Sequence, residues 1–241
     1  KVPEAFNGKP VTGIREYGFM HNNTLEEVIL PDSITSIGAS AFNGCSNLKK
    51  INVPKSLTSI GNYSFSGCYK LSSFEIPETV TRIELGTFAN CEKLKVKLHN
   101  KLTYIGKEAF NSCNISSLTI PANVSFIGEH AFAYCDIITL TIEEGTKLTE
   151  IGEGVFAHNE DIKSFVVPEG IRTIGKEAFS FNGLTSVTLP KSLETIGYRA
   201  FYYGENDITV KYSGSEADWQ KVSVDSLFVK ATANVTYVFA E

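Results

Sequence analysis

The chain has 241 residues and carries 22 Lys+Arg against 27 Asp+Glu, a formal net charge of −5. With 42% hydrophobic and 20% charged residues it holds too much apolar material for a disordered chain. Its mild acidity argues against nucleic acid as the main partner, because phosphate binding needs a basic surface. No apolar run approaches the roughly 18 residues of a membrane helix, and Lys1-Val2-Pro3-Glu4 does not open a signal peptide.

Read along the chain, one segment recurs. Val11-Thr12-Gly13-Ile14 begins in mid-pattern, and Ile14…Phe19 is a degenerate first copy of Ile37-Gly38-Ala39-Ser40-Ala41-Phe42. Further copies run Ile60…Phe65, Ile83…Phe88, Ile105…Phe110, Ile127…Phe132, Ile151…Phe156, Ile174…Phe179 and Ile196…Phe201, at steps of 22 to 24 residues. Three residues before most of these Ile positions stands another aliphatic residue, such as Ile34, Leu57 or Val124. Before that comes a Pro in most copies (Pro31, Pro54, Pro77, Pro121, Pro168, Pro190), preceded by apolar-x-x-apolar-x-apolar, as in Leu48-Lys49-Lys50-Ile51-Asn52-Val53.

The alternation Ile51-Asn52-Val53 predicts a strand with side chains in and out by turns. Pro, lacking an N–H, suits the strand end and a corner. Leu57-x-x-Ile60 predicts a second extended segment, and the Gly after Ile permits a sharp bend. The x-x-Ala-Phe that follows reads as one helical turn with Phe in the core. One such unit cannot bury its apolar face alone, whereas stacked units can.

The unit L-x-x-I-x-I-P-x-x-L-x-x-I-G-x-x-A-F-x-x-C resembles the BspA-like bacterial surface leucine-rich repeat over about residues 11–212. The resemblance implies a leucine-rich-repeat solenoid of about nine coils, an α/β repeat of short parallel strands with single helical turns, spanning residues 1–212. Residues 213–241 read as a C-terminal cap. Within it Ser215-Glu216-Ala217-Asp218 is a capping box opening a short helix with Trp219 and Val222 turned to the solenoid, and Val235-Thr236-Tyr237-Val238-Phe239 is a strand. The mid-pattern start predicts that the chain is part of a longer protein. The pattern departs at Glu84, where Gly is expected, at His99 and Glu143, where Pro is expected, in the short unit Leu94–Leu98, and in the long stretch Glu144-Gly145-Thr146-Lys147. Local bulges are expected there, not a broken solenoid.

Cys45, Cys68, Cys91, Cys113 and Cys135 each follow a motif Phe by three residues, and Asn159 and Asn182 continue that column. It resembles the inward ladder position of leucine-rich repeats, where Asn bonds the backbone of neighbouring turns and Cys is a small core residue. No CxxC spacing occurs, so we expect free structural thiols and neither a zinc site nor a redox pair.

Residues able to carry chemistry are few and scattered. His21, His99, His130 and His158 form no metal-type spacing, and no nucleophile elbow, phosphate loop or dinucleotide fingerprint is present. The acids around Glu143, Glu150, Glu160 and Asp161 lack a calcium loop and read as a solvated patch. We expect no catalysis, cofactor or metal.

One variable column is more informative. Two residues after the motif Phe, successive copies hold Gly44, Gly67, Asn90, Ser112, Tyr134, His158, Phe181 and Tyr203, with Tyr202 beside the last. Stacking would align Tyr134, His158, Phe181 and Tyr203 in a stripe. It is either a partner-binding surface or a set of rings that shield the ladder and stack on each other. Tyr104 and Phe126 are outward neighbours in a second column, beside a Thr/Ser column that suits a sheet surface. By resemblance, function is expected to be extracellular or cell-surface recognition of another macromolecule, a host, matrix or other surface protein or a glycan. A spacer that projects another domain from the cell wall, or a targeting module of a secreted carbohydrate-active enzyme, stay open beside it.

Overall fold

The computed structural model describes residues 1–202, 207–229 and 234–240. Its plan follows from the repeat. Each coil has two short strands joined by a corner, then a run of tight turns that returns to the next coil. Strands of the motif Ile, among them Ser36–Ile37, Ser59–Ile60, Tyr104–Ile105 and Thr173–Ile174, stack parallel and in register, so that Ile37 lies on Ile60 and Ile151 on Ile174. A second wall is built from Lys50–Ile51, Ser117–Ile120, Thr139–Ile142, Ser186–Leu189 and their equivalents. From Gly13–Ile14 to Ser223–Val224 the described residues give ten rungs.

The return segment corrects one expectation. It is not a helical turn. Residues three apart close successive turns, as in Ala41 N–H to the Gly38 carbonyl (3.2 Å), Asn43 to Ser40 (3.2 Å) and Cys45 to Phe42 (3.0 Å). Two columns of residues are left-handed. Ser40, Tyr63, Glu108, His130 and Glu177 occupy one, and Asn90, Ser112, Tyr134, His158 and Phe181 the other, with φ between 51° and 60°. The alternate N–H groups point along the axis and donate to the following coil: Ser40 to Asn62, Phe42 to Ser64 and Gly44 to Ser66, at 2.7–2.8 Å. On the motif-Ile wall the direction is reversed, with Gly61 N–H donating to Ile37 of the preceding coil (2.9 Å) and Gly128 to Ile105 (2.8 Å). The one helix among the described residues is Glu216–Trp219.

The motif Gly is also reassigned. Gly38, Gly61, Gly106 and Gly128 do not have positive φ, so they are not bend residues. A Cβ on Gly61 would stand 2.5 Å from the Ala39 nitrogen, and one on Gly106 2.8 Å from the Glu84 carbonyl carbon. Glycine is there because the backbones of adjacent coils touch.

The core is a column of rings. Phe19, Phe42, Phe65, Phe88, Phe110, Phe132, Phe156, Phe179 and Phe201 stack with centroids 5.2–5.9 Å apart, flanked by the buried aliphatic rows. Outside, the Thr column has a bonding role as well as β propensity: Thr58 Oγ1 donates to the Thr35 carbonyl (3.0 Å) and Thr103 Oγ1 to Thr81 (3.2 Å).

The departures in the repeat part the sheets without ending the solenoid. No ladder joins Ser59–Ile60 to Arg82–Ile83. Glu84 stands there in place of the contact Gly, and its side chain has no room at the close spacing. On the other wall no ladder joins Thr139–Ile142 to Ser164–Val166, where Phe165 occupies an aliphatic position and packs on Phe179 at 5.2 Å. The longer stretch after Glu143 has the largest effect. Its coil is held to the preceding one by Thr139–Ile142 on Ser117–Ile120 and to the following one by Glu150–Ile151 on Thr173–Ile174. Between Phe126–Ile127 and Glu150–Ile151 the ladder is interrupted. There a Gly152 Cβ would meet nothing closer than 3.8 Å. The return segments still bridge this junction, through Phe132 N–H to Val155 (3.0 Å) and Tyr134 N–H to Ala157 (3.0 Å).

The segment after Tyr212 prolongs both walls. Ser215 caps the helix, accepting from Asp218 N–H while the Asp218 carboxylate accepts from Ser215. Trp219 is buried against Tyr212 and Tyr237. Ser223–Val224 then pairs with Thr195–Ile196, and Val235–Phe239 with Ile208–Tyr212.

Candidate functional site

The ladder column lies inside. Cys45, Cys68, Cys91, Cys113 and Cys135 are buried and free. Each Sγ donates to the carbonyl of the motif Phe of the preceding coil, from Cys45 to Phe19 (3.1 Å) through Cys135 to Phe110 (3.0 Å). Asn159 Nδ2 makes the same bond to Phe132 (3.0 Å), and its Oδ1 also accepts from the N–H groups of Cys135 and Ile137. Asn182 Oδ1 accepts from Asn159 N–H (2.8 Å). Burial pushes the thiols up, Cys113 to about 12, so the thiolate a nucleophile requires is withheld. No group of His, Cys, Asp and Glu able to hold a metal occurs among the described residues.

The second left-handed column is outside. Its backbone aims each side chain away from the core and over the next coil. Tyr134, 52% exposed, stacks on His158 at 4.1 Å and 11°, and His158 on Phe181, 38% exposed, at 4.4 Å and 6°. Tyr202 meets Phe181 edge-on at 6.5 Å. Tyr203 lies outside the described residues. The stack covers both faces of His158, leaving ring edges and the outer face of Tyr134, which looks toward Ser112. Beside it a groove of about 320 Å³ is lined by Tyr134, His158, Asp136, Glu160 and Asp161. Burial within the stack lowers the pKa of His158, against the opposing pull of Glu160 and Glu177. The ring is therefore held neutral below its ordinary range. His130, half-buried, is not a freely solvated surface group; its ring covers Gly154, where a Cβ would collide with it.

On the motif-Ile wall Tyr104 and Phe126 stack at 4.9 Å and 8°. The Arg82 guanidinium lies over the other face of Tyr104, 3.7 Å from its centroid, and pairs with Glu84 at 2.9 Å. The position of Arg82, in one column with the two rings, was the signal for this cap. The interrupted ladder beyond Phe126–Ile127 left no mark in the sequence other than the longer stretch after Glu143 and its 24-residue step to Ile151.

The chain matches the BspA type leucine rich repeat region, in six copies, over residues 12–138 and 95–208. Among solved structures it is similar to a leucine-rich repeat protein of Bacteroides ovatus, with 27% identity, a TM-score of 0.66, and 94% of this chain and 66% of that one covered. This chain thus spans just under two thirds of that protein. It is also similar to a leucine-rich repeat protein of Eubacterium ventriosum, with 19% identity, a TM-score of 0.51, and coverage of 94% and 70%. A leucine rich cell surface protein of Faecalibacterium prausnitzii aligns at 22% identity with a TM-score of 0.45, over 93% and 90%. No curated protein sequence matches the chain.

Proposed function

This chain belongs to the BspA-type leucine-rich repeat family, and we propose that it is a non-catalytic recognition module, extracellular or on a bacterial surface, whose Tyr134, His158 and Phe181 stripe contacts a partner protein. One observation carries the reading. Three bulky rings are held outward in left-handed backbone, at φ of 59°, 59° and 56°, in a column whose earlier coils carry His21, Gly44, Gly67, Asn90 and Ser112. Left-handed geometry costs an ordinary side chain about 1–2 kcal/mol, and a stacked ring pair returns about 0.5–1.5 kcal/mol. Asn90 and Ser112 satisfy the same backbone without a ring, so local stability alone does not call for rings here, and an exposed stack of them supports recognition. The stack covers both faces of His158, so it presents ring edges and the outer face of Tyr134. Exposed ring edges suit the side chains and carbonyls of a protein.

The test is an array of immobilised matrix proteins and glycans, probed with the wild type and a folded Tyr134→Ala/Phe181→Ala variant. The expected result is a selective protein hit that the variant loses. A hit that the variant keeps removes the stripe from the site. No hit at all favours a spacer.

A further inference from the structure

The interrupted ladder between Phe126–Ile127 and Glu150–Ile151 opens a groove of about 330 Å³, lined by Phe126, Glu129, Thr149, Glu150 and Glu153 among others, and by no Lys or Arg. Phe126 is 47% exposed. One of its faces is against Tyr104. The other looks along the axis toward the next residue of its column, which is Glu150. Elsewhere on the wall that space is filled by the adjoining strand at ladder spacing.

The carboxylates of the groove are not equivalent. Lys107 pairs with Glu129 and Lys176 with Glu153, each at 2.6 Å. No ion pair involves Glu150 among the described residues. The groove therefore offers an open aromatic face beside one uncompensated carboxylate. The same stack shows what such a face accepts, because its opposite end is capped by the Arg82 guanidinium, held over Tyr104 and paired with Glu84.

We propose that this groove receives an arginine side chain of a partner protein, its guanidinium stacked on Phe126 and paired with Glu150. Arginine fits better than lysine, since a planar, weakly hydrated guanidinium stacks on a ring while also presenting a fork to a carboxylate. The net charge of −5 favours the approach of a basic segment. The site is separate from the Tyr134 stripe and does not depend on it.

The test is saturation-transfer NMR titration of the whole chain with N-acetyl-arginine methylamide, and with the lysine and citrulline analogues as probes. Citrulline keeps the shape of arginine without its charge. Arginine is expected to bind best. Citrulline is expected to bind about tenfold or more weakly, in line with the loss of a charge-assisted pair. Phe126→Ala is expected to weaken arginine about 2- to 30-fold, the range of a cation–ring contact, and Glu150→Gln to act in the same direction. Tyr134→Ala should change nothing. Equal binding of arginine and citrulline, equal binding of arginine and lysine, or arginine binding undiminished in Glu150→Gln would each overturn the proposal. Glu150 is exposed and its replacement isosteric, so that variant decides the question even if Phe126→Ala fails to fold.

Discussion

Two glycines at the same repeat position are predicted to respond to alanine with opposite signs. Gly61 and Gly152 both follow a motif Ile, and neither has positive φ, so backbone strain does not separate them. At Gly61 a new Cβ would lie 2.5 Å from the nitrogen and 2.8 Å from the Cα of Ala39, both of them backbone atoms. Ordinary carbon contacts begin near 3.5 Å, so the two coils must part by about 1 Å. The ladder between Ser36–Ile37 and Ser59–Ile60 would strain with them. The expected cost is about 1–3 kcal/mol, as for overpacking in a close-packed interior. At Gly152 the nearest atoms would be the Ile127 carbonyl oxygen and a Val155 methyl, both at 3.8 Å. There the substitution only restricts the unfolded chain, which stabilises by about 0.4–1 kcal/mol. Urea unfolding followed by circular dichroism separates the two through their midpoints at unchanged slope. If Gly152→Ala destabilises as much as Gly61→Ala, the coil at Ile151 is as tightly seated as the others, and the splayed junction described here is wrong.

Three further outcomes follow from the geometry. Phe132→Ala, which removes a fully buried ring stacked on both sides, should cost about 3–5 kcal/mol by the same unfolding assay, and a loss under about 1 kcal/mol would mean that the ring column is not the core. An alkylating reagent should label the five thiols only slowly in the folded, reduced protein and rapidly in denaturant, because burial raises their pKa and closes access; fast labelling of all five would contradict the inward ladder. His158 has a lowered pKa in the fold, so the unfolded chain binds its proton first, and stability present above the ordinary value of about 6.5 is lost as pH falls below it. Unfolding midpoints measured from pH 7.5 to 5 should fall more steeply in the wild type than in His158→Gln, and parallel slopes would rule out this coupling.

The rows of Ile, Leu and Phe were legible because a strict period places equal residues on equal neighbours, and burial needs nothing more. The short terminal helix was legible too, since Ser215 and Asp218 stand at capping-box spacing. The left-handed columns were not. Their members include Tyr63, Glu108, His130 and Arg199, which carry no turn signature, so the bends were assigned to the conspicuous glycines instead. The motif glycines answer to a neighbouring coil 21 to 23 residues away, a relation that local reading does not reach. The grooves escaped for the same reason. Glu84, Phe165 and the stretch after Glu143 each look like tolerable substitutions in one unit, and their effect appears only in the spacing to the next. In the outer stripe the alignment of Tyr134, His158 and Phe181 could be read from the column, whereas the mutual covering of ring faces required the distances.

The opposed directions of the hydrogen bonds along the solenoid bear on how far such a stack can grow. Alternate peptides on the return wall aim their N–H toward the C-terminal end, in columns like those of an α-helix. Had the motif-Ile wall done the same, every added coil would have deepened an axial field and left polarised ends seeking counter-ions. Because Gly61 and Gly128 donate the other way, the motif-Ile wall opposes part of that field, as alternating peptides do in a sheet. Each added coil therefore deepens the axial field less than the return wall alone would make it.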